Sequence, residues 1–261
     1  MMSTPEFADF ALELARAARL ETLSRWAECG PAENKGVNSF DPVTEADRQA
    51  ERAIREIITA AFPDHGINGE EWPDKPGSGR FIWSLDPIDG TRSFICRLPT
   101  WVTLIALLEE NQPVLGLIDA PCLDETYIGS GGEAWMISKG ERMRLAASGC
   151  TRLADARLST TDPFECAPPI ELFDRIRKGA RVTRYGHDGY AYARLAAGSI
   201  DLVVEGGLKP HDYNALIPVI TAAGGRIGDW DGGQDFSSGR ILAAATHQLY
   251  HEVVELLARA A

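Results

Sequence analysis

Two aspartates lie three residues apart in the segment WSLDPIDGTRSF, which runs from Trp83 to Phe94. Asp86 and Asp89 follow the apolar run FIWSL, so we expect them at the C-terminal end of a strand, where sites in α/β folds commonly open. Pro87 fixes φ and limits how this turn can rearrange. Two carboxylates this close repel unless a proton or a cation lies between them, and Mg²⁺ prefers such oxygen ligands. An isolated DPxDG segment is equally an ordinary solvated turn.

Three other segments carry acidic residues that could belong to the same site. DPVTEAD contains Asp41 and Asp47, GINGEEW contains Glu70, and GGLKPHDYNAL contains Asp212. Each has an ordinary structural explanation, because an aspartate in the first helical turn complements the helix dipole and an aspartate that opens a helix is normally a cap. Taken together, the segments favour a site that gathers carboxylates from several elements.

The hydrophobic pattern of the first half predicts helices packed on a sheet. Helices are predicted from Thr4 to about Glu28 and over Thr44–Ala61, and both should lie on one side of the sheet. Thr44 and Asp47 have the spacing of a capping box. The runs FIWSLD, WVTLIALLE, PVLGLIDAP and ETYIGS, separated by turn residues, predict a mostly antiparallel meander.

Beyond about residue 150 the chain alternates strand-like and helix-like segments. The predicted strands are ARLST, ARVTRYG, IDLVVEGG and ILAAAT, and the predicted helices are PPIELFDRIRK, GYAYARLAAG, DYNALIPVITAAGG and QLYHEVVELLARA. An α+β half is therefore followed by an α/β half. Since no repeat or low-complexity linker separates them, residues 1–149 and 150–261 are predicted to be packed subdomains and not independent modules.

Composition excludes several classes of function. The 261 residues are 44% hydrophobic and carry a formal net charge of −12, which disfavours a nucleic-acid surface and is compatible with bound divalent cations. The five cysteines form no CxxC pair, and their odd number argues for a reducing, cytoplasmic compartment. The charged N-terminal helix is neither a signal peptide nor a membrane span. No HExxH motif supports a zinc hydrolase.

The acidic segments resemble the inositol monophosphatase family of Mg²⁺-dependent, Li⁺-sensitive phosphomonoesterases. DPVTEAD, GEE, WSLDPIDGT, YGHDG and VVEGGLKPHD followed by TAAGG have the family's order and spacing over roughly Lys35 to Gly225. The resemblance implies an α+β / α/β fold, the layered αβαβα sandwich of the inositol monophosphatase and fructose-1,6-bisphosphatase type. It also implies a small phosphate ester as substrate, two or three Mg²⁺ ions per site, inhibition by Li⁺, and a homodimer.

The resemblance implies a role for each acidic residue. Glu70, Asp86 and the carbonyl of Ile88 would bind one metal, and Asp86, Asp89 and Asp212 a second, so that Asp86 bridges the two. Two metals clamp the attacking and leaving oxygens of an in-line displacement, and water is then the nucleophile. Thr91, near Asp47 in this family, would orient that water together with Glu70. The N–H groups of Gly90 and Thr91 are expected to bind the phosphate.

Within the family, the GHDGYAYA block and VVEGGLKPHDYNALIPVI resemble the histidinol-phosphate phosphatase branch. L-Histidinol phosphate carries an ammonium group and an imidazole, so Asp188 and Glu205 would match its charge. Asp188 could also cap the helix that follows it. We count Arg184 with Asp188, Glu205 and Asp212 among the predicted substrate-binding residues.

Alternatives to this substrate remain open. An inositol-1-monophosphatase or a 3′(2′),5′-bisphosphate nucleotidase would use the same metals with a different pocket. A degenerate relative that binds phosphorylated metabolites without turnover is a non-enzyme alternative, although degeneration usually removes metal ligands and all of them are present here. Ser93 and His211 stand where many family members carry asparagine and an aromatic residue, which bears on the substrate and not on the reaction.

Overall fold

The computed structural model describes residues 4–28, 33–34, 42–164 and 170–258. Asp41, Cys29, Cys166, the two prolines that begin PPIELFDRIRK and the last residues of QLYHEVVELLARA lie outside the described residues.

The first half contains helices packed on one face of a seven-stranded sheet. Its elements are α1 (Thr4–Glu28), β1 (Glu33–Asn34), β2 (Pro42–Val43), α2 (Glu45–Ala61), β3 (Gly66–Gly69), β4 (Phe81–Asp89), α3 (Thr91–Ile95), β5 (Val102–Glu109), β6 (Gln112–Ala120), β7 (Glu125–Ser130), β8 (Glu133–Ser138) and β9 (Glu141–Arg144). The strands lie in the order β3 to β9, and every neighbouring pair is antiparallel except β3 and β4. The predicted meander and both predicted helices are confirmed.

The second half forms a five-stranded mixed sheet with helices on both faces. Its elements are β10 (Arg157–Thr160), α4 (Ile170–Gly179), β11 (Val182–Tyr185), α5 (Asp188–Ala196), β12 (Leu202–Glu205), α6 (Pro210–Tyr213), α7 (Leu216–Ala222), β13 (Arg226–Gly228), β14 (Ile241–Ala244) and α8 (His247–Ala258). The strand order is β11-β10-β12-β14-β13, with β14 antiparallel to both of its neighbours.

Three apolar clusters hold five layers together. One joins α1 and α2 to the seven-stranded sheet, a second joins both sheets through α5 and α7, and a third joins the five-stranded sheet to α4 and α8. The layers therefore follow the order αβαβα, as the family resemblance implies. Because the second cluster contains residues of both halves, the middle layer fixes the position of one sheet relative to the other.

Alternation along β4 separates the apolar core from the functional side. Trp83 and Leu85 are fully buried in the cluster with α1 and α2. Ser84 instead accepts a hydrogen bond from the amide of Asn214, at 3.1 Å, just before α7. Since successive side chains of a strand point to opposite faces, Asp86 follows Ser84 onto the side of the middle layer.

Some elements differ from the sequence predictions. The segment DYNALIPVITAAGG forms two helices, α6 and α7, in place of one, and the short strands β8, β9 and β13 were not predicted. In the part of the chain that the structure describes, no helix combines the length and apolar character needed to cross a membrane.

Candidate metal centre

A β-bulge turns two aspartates of β4 toward the same side of the sheet. Residues three apart in a regular strand point to opposite faces. Here Asp86 pairs with Leu104 of β5 and Asp89 with Val102, so β4 contains one residue more than its partner. The extra residue compensates for the odd spacing, and both carboxylates reach the space between the layers.

Strand β4 runs through both aspartates and ends at Asp89, so they lie at its C-terminal end as predicted. Pro87 lies within the bulge, where a residue without an N–H group leaves no donor unpaired. The carbonyl oxygen of Pro87 accepts a hydrogen bond of 2.8 Å from the hydroxyl of Thr103 on β5. The proline is thus part of an irregular strand and not of a terminal turn.

Asp212 joins the β4 aspartates across more than a hundred residues of sequence. One carboxylate oxygen each of Asp86, Asp89 and Asp212 lies within 4.8 Å of the others. Asp86 is 2% exposed, and Asp89 and Asp212 are half-buried. Three carboxylates within this distance form a ligand set suited to a hard divalent cation.

The start of α6 fixes the orientation of Asp212. Its Oδ2 accepts a hydrogen bond of 2.6 Å from the backbone N–H of Lys209, and His211 Nε2 lies 3.5 Å from Oδ1. Lys209 is thus the N-cap of α6, whereas the sequence context suggested Asp212; Asp212 is the third helical residue, completes the capping box and is a member of the acidic cluster as well. Capping holds the carboxylate in one orientation before any ligand binds.

The start of α5 is capped by Asp89 and not by Asp188. The backbone N–H of Gly189 donates to Asp89 Oδ2, so this carboxylate accepts at the positive end of α5. Asp188 has a φ of 45°, a conformation uncommon for a residue with a side chain but tolerated by aspartate. Its carboxylate lies 3.4 Å from the hydroxyl of Ser93. A Cβ on Gly90 would come within 2.8 Å of Asp188 Oδ2, so glycine is required at this contact.

Helix α2 supplies a buried carboxylate with an unused oxygen. Asp47 Oδ2 accepts from the backbone N–H of Thr44 at 2.8 Å and from its hydroxyl at 2.6 Å, which confirms the predicted capping box. Asp47 Oδ1 is buried and has no hydrogen-bond partner among the described residues. Buried acceptors of this kind normally bind water or a ligand, so this oxygen indicates an occupant of the site.

The electrostatic environment of Asp86 is unfavourable without a cation. Burial raises the pKa of Asp86 well above its usual value, and the negative charges of Glu70, Asp89, Asp212 and Asp47 raise it further. The charge of Glu70 also acts on Asp47, whose pKa burial raises to about 6. Glu70 and Asp47 thus lie close enough to Asp86 for their negative charges to repel its ionised carboxylate. A bound cation would remove this repulsion.

Thr91 lies beside the bulge at the start of α3. Its hydroxyl donates to the carbonyl oxygen of Ile88 at 3.1 Å. Ile88 N–H in turn donates to Asp86 Oδ1, also at 3.1 Å. Because a carbonyl oxygen has two lone pairs, the Ile88 carbonyl can accept from Thr91 and still bind a cation.

A cavity of about 180 Å³ extends from the acidic cluster between α5 and β12. Its lining includes Asp89, Asp162, Asp188, Glu205 and Asp212.

Glu205 is held at the wall of this cavity by donors from two other elements. Thr161 donates to Oε1 from its N–H at 2.8 Å and from its hydroxyl at 2.6 Å, and the hydroxyl of Tyr192 donates to Oε2 at 3.0 Å. Burial raises the pKa of Glu205 to about 7, and Asp188 adds to this rise, while the hydrogen bonds oppose it.

Arg184 lies apart from the other predicted residues. It is exposed on β11, the edge strand of the five-stranded sheet, and it does not line the cavity. Its positive charge acts on His187: burial lowers the pKa of His187, and the charge of Arg184 lowers it further. The substrate-binding role predicted for Arg184 stays a prediction. The other predicted site residues lie together: Asp47, Glu70, Asp86, Ile88, Asp89, Gly90, Thr91, Asp188, Glu205 and Asp212.

Three cavity residues escaped the sequence analysis. Thr161 and Tyr192 hold Glu205, and Asp162 lines the same cavity. Thr161 precedes Glu205 by 44 positions. No local pattern in the sequence links the two, because their contact depends on β10 and β12 lying side by side in the sheet.

The donor set fits a divalent metal ion. Asp86, Asp89, Asp212, Glu70 and the Ile88 carbonyl offer oxygens only, which suits Mg²⁺ better than a transition metal. When bound, such ions lower the pKa of water and stabilise charge on a phosphoryl group. The orphaned Asp47 Oδ1 and the repulsion around Asp86 are observations of this chain that agree with an occupied centre.

Comparisons with known proteins place this chain in one family. The family model described as "Inositol monophosphatase family" matches residues 4–260. The chloroplastic bifunctional phosphatase IMPL2 of Arabidopsis thaliana is 47% identical over 75% of this chain, and the match spans only 56% of the plant protein. A histidinol-phosphatase of Chlorobaculum parvum is 34% identical, with 96% of each chain covered.

A solved structure of an inositol monophosphatase from Zymomonas mobilis has the same fold. It superimposes with a TM-score of 0.84 at 35% identity, covering 99% of this chain and 100% of that one. Relatives named for histidinol phosphate and for inositol phosphate are therefore equally similar. These relatives all belong to one family of metal-dependent phosphatases. The match of the family model over residues 4–260 shows that this chain belongs to the inositol monophosphatase family.

Proposed function

We propose that this protein is a Mg²⁺-dependent phosphomonoesterase that hydrolyses L-histidinol phosphate to L-histidinol and phosphate. The observation that carries the reaction is the cluster of Asp86, Asp89 and Asp212 within 4.8 Å, beside a buried Asp47 oxygen without a partner. Three carboxylates this close together repel one another when ionised, so they suit the binding of a cation better than acid–base catalysis alone.

The proposed roles are those that the family resemblance implies. Glu70, Asp86 and the Ile88 carbonyl would hold one Mg²⁺, and Asp86, Asp89 and Asp212 a second. Asp86 suits the bridging position because it is the most buried of the three clustered aspartates and is surrounded by the others.

The attacking water would be oriented by protein groups. Asp47 Oδ1 is a buried acceptor without a partner among the described residues, Glu70 acts electrostatically on both Asp47 and Asp86, and the Thr91 hydroxyl donates to the Ile88 carbonyl. One of the two carboxylates would accept a single proton of the water as its oxygen attacks phosphorus. The P–O bond to the alcohol breaks, and the alkoxide takes a proton from solvent. We also propose that the N–H groups of Gly90 and Thr91 bind the phosphate.

The choice of histidinol phosphate depends on the charge of the cavity. Asp162, Asp188 and Glu205 line it, and burial followed by Asp188 raises the pKa of Glu205 to about 7. An ammonium group in this cavity would pair with a carboxylate and lower that pKa, whereas a neutral polyol would leave the charges uncompensated. The sequence blocks of the histidinol-phosphatase branch support the same substrate.

Phosphate release from a panel of esters tests the proposal. Purified protein with Mg²⁺ is given histidinol phosphate, inositol 1-phosphate and adenosine 3′,5′-bisphosphate, each with and without Li⁺. We expect kcat/KM to be highest for histidinol phosphate and Li⁺ to inhibit. A preference for inositol 1-phosphate or the nucleotide would identify those alternatives, and release from none of the three would favour the non-catalytic relative.

Two further expectations stay predictions. A homodimer in the cytoplasm is what the family resemblance and the cysteine pattern imply. Light scattering of the purified protein measures the first directly.

A further inference from the structure

A second buried carboxylate lies one helical turn beyond Asp47 on α2. Asp47 and Glu51 are both fully buried, and residues four apart project from the same side of a helix. Asp47 faces the acidic cluster, as its interaction with Glu70 shows. Glu51 contacts a different part of the site, the chain that follows β3.

The carboxylate of Glu51 binds the turn that carries Glu70. Its Oε2 accepts from the backbone N–H of Glu71 at 2.8 Å, and its Oε1 lies 3.3 Å from the backbone N–H of Trp72. These are the two residues directly after Glu70. A shift of the Glu51 carboxylate would therefore shift the backbone from which the Glu70 side chain projects.

Arg55 completes the contact from the next turn of α2. Its Nε donates to Glu51 Oε1 at 2.7 Å, while its terminal nitrogens donate to the carbonyl oxygens of Trp72 and Pro73, both at 3.0 Å. Glu51 binds N–H groups of the turn and Arg55 binds its carbonyl groups. Together they fix both kinds of backbone group over residues 71–73.

Close packing at Gly69 leaves the turn little freedom. A Cβ on Gly69 would lie 1.9 Å from Glu51 Oε1. The backbone just before Glu70 thus packs directly on the same carboxylate that binds the backbone just after it. The glycine is needed here for close approach, and the contact leaves Glu70 anchored on both sides.

We propose that Glu51, supported by Arg55, is a positioning residue that sets the metal affinity of the site by fixing Glu70. The inference rests on the metal centre proposed above. Glu51 is not itself a ligand, because its oxygens already accept from two backbone N–H groups and a guanidinium. Groups that orient a metal ligand typically contribute 10- to 100-fold to metal affinity.

The test is calorimetric titration of the metal-free protein with Mg²⁺ alone, for wild type, Glu51→Gln and Asp201→Asn. Glutamine has one acceptor oxygen, so its NH₂ group must face an N–H donor of the turn or Arg55. We expect Glu51→Gln to weaken Mg²⁺ binding about 10- to 100-fold. In assays we expect the half-saturating Mg²⁺ concentration to rise by a similar factor and kcat to recover at high Mg²⁺.

Asp201→Asn is the matched control. Asp201 is also a buried carboxylate paired with an arginine, Arg157, but it lies next to β12 at the end remote from Glu205. We expect it to lower thermal stability and leave Mg²⁺ affinity unchanged. A comparable loss of affinity in both variants would show that Glu51 acts only through general stability.

Arg55→Met covers the case in which Glu51→Gln does not fold, since the Arg55 side chain is partly exposed. It should weaken Mg²⁺ binding in the same direction by a smaller factor. Unchanged affinity in whichever variants fold would overturn the role of Glu51. Wild-type protein that binds no Mg²⁺ would instead overturn the metal centre and this inference with it, so the two failures are distinguishable.

Discussion

Asp86 of the candidate metal centre and Asp201, just before β12, are both aspartates with almost no exposed surface, but their environments are opposite. Around Asp86, burial and four carboxylates all raise the pKa. Burial also raises the pKa of Asp201, but hydrogen bonds from Arg157 and Ser148 outweigh it, and the pKa lies below its usual value. The Arg157 guanidinium and backbone N–H donate to Asp201 at 2.7 and 2.8 Å.

The difference between the two environments distinguishes a buried charge that stabilises the fold from one that prepares a binding site. Asp201 has its counter-ion within the chain, so its ionised form stabilises the fold at neutral pH. Asp86 has like charges as its main neighbours, so its ionised form destabilises the fold until a cation binds. Substitution by asparagine should therefore have opposite effects at the two positions.

The largest effect is expected for Asp86→Asn. Losing one charge weakens both proposed metal sites, so kcat/KM should fall on the order of 10³-fold, equivalent to several kcal/mol of transition-state stabilisation. The same change removes a buried like-charge contact, so the metal-free variant should melt at or above the wild-type temperature. Phosphate release and calorimetry in EDTA measure the two effects. Near-normal turnover at saturating Mg²⁺ would remove Asp86 from the bridging position.

The second effect concerns selectivity at Asp188. Its carboxylate lies near the Ser93 hydroxyl and does not cap α5, which Asp89 does through Gly189. Asparagine tolerates the positive φ of this position, so Asp188→Asn changes charge with little backbone strain. Loss of a hydrogen bond to a charged group should lower kcat/KM for histidinol phosphate about 10- to 100-fold.

A neutral ester is the control for Asp188→Asn. Hydrolysis of a small neutral phosphate ester should change far less, because phosphate and metal contacts are common to all substrates. Equal losses on both esters would show that Asp188 supports the geometry of the site and does not recognise the ammonium group.

Residue types and spacing predicted much of this centre, and tertiary register accounts for what they did not predict. DPIDGT and Asp212 were recognisable because the clustered carboxylates lie at fixed positions within short segments. The bulge was not, since it exists only in the pairing of β4 with β5. The contact of Glu51 with Glu71 likewise spans 20 positions and follows from packing of α2 on the turn after β3.

The layered fold was predicted with similar limits. Long periodic segments such as α1, α2 and the β4–β7 meander were correct in type and nearly so in extent. The short strands β8, β9 and β13 have too few residues for a clear period. The split of α6 from α7 could not be read from an apolar run that is helical on both sides of the break.

A smaller effect, on stability alone, is expected for Asp201→Asn. Breaking the hydrogen bonds to Arg157 and Ser148 should lower the free energy of unfolding by about 1–3 kcal/mol. The partial exposure of the Arg157 side chain keeps the loss toward the low end. Thermal melts measure the loss, and phosphate release should stay within about threefold of wild type. A melting temperature above that of wild type would contradict the distinction drawn between Asp201 and Asp86.

The last expected effect is a pH dependence centred on Glu205. Burial raises its pKa to about 7 in the folded protein, compared with about 4.3 in an unfolded chain. Between these values the folded state keeps a proton that the unfolded state releases. Stability of the metal-free protein should therefore fall as pH rises through this window, by at most about 1.4 kcal/mol per pH unit from this group.

Glu205→Gln should remove that contribution, because glutamine does not titrate and can still accept from Thr161 while its NH₂ group faces the Tyr192 oxygen. Thermal melts in EDTA from pH 5 to 7.5 should thus show a shallower decline for the variant than for wild type. Histidinol, added without phosphate, sharpens the test: an ammonium group near Glu205 favours the ionised carboxylate, so the ligand should stabilise wild type more at pH 7.5 than at pH 5. Stabilisation that is the same at both pH values, or the same in Glu205→Gln, would place the ammonium group away from Glu205 and leave Asp188 or Asp162 as its partner.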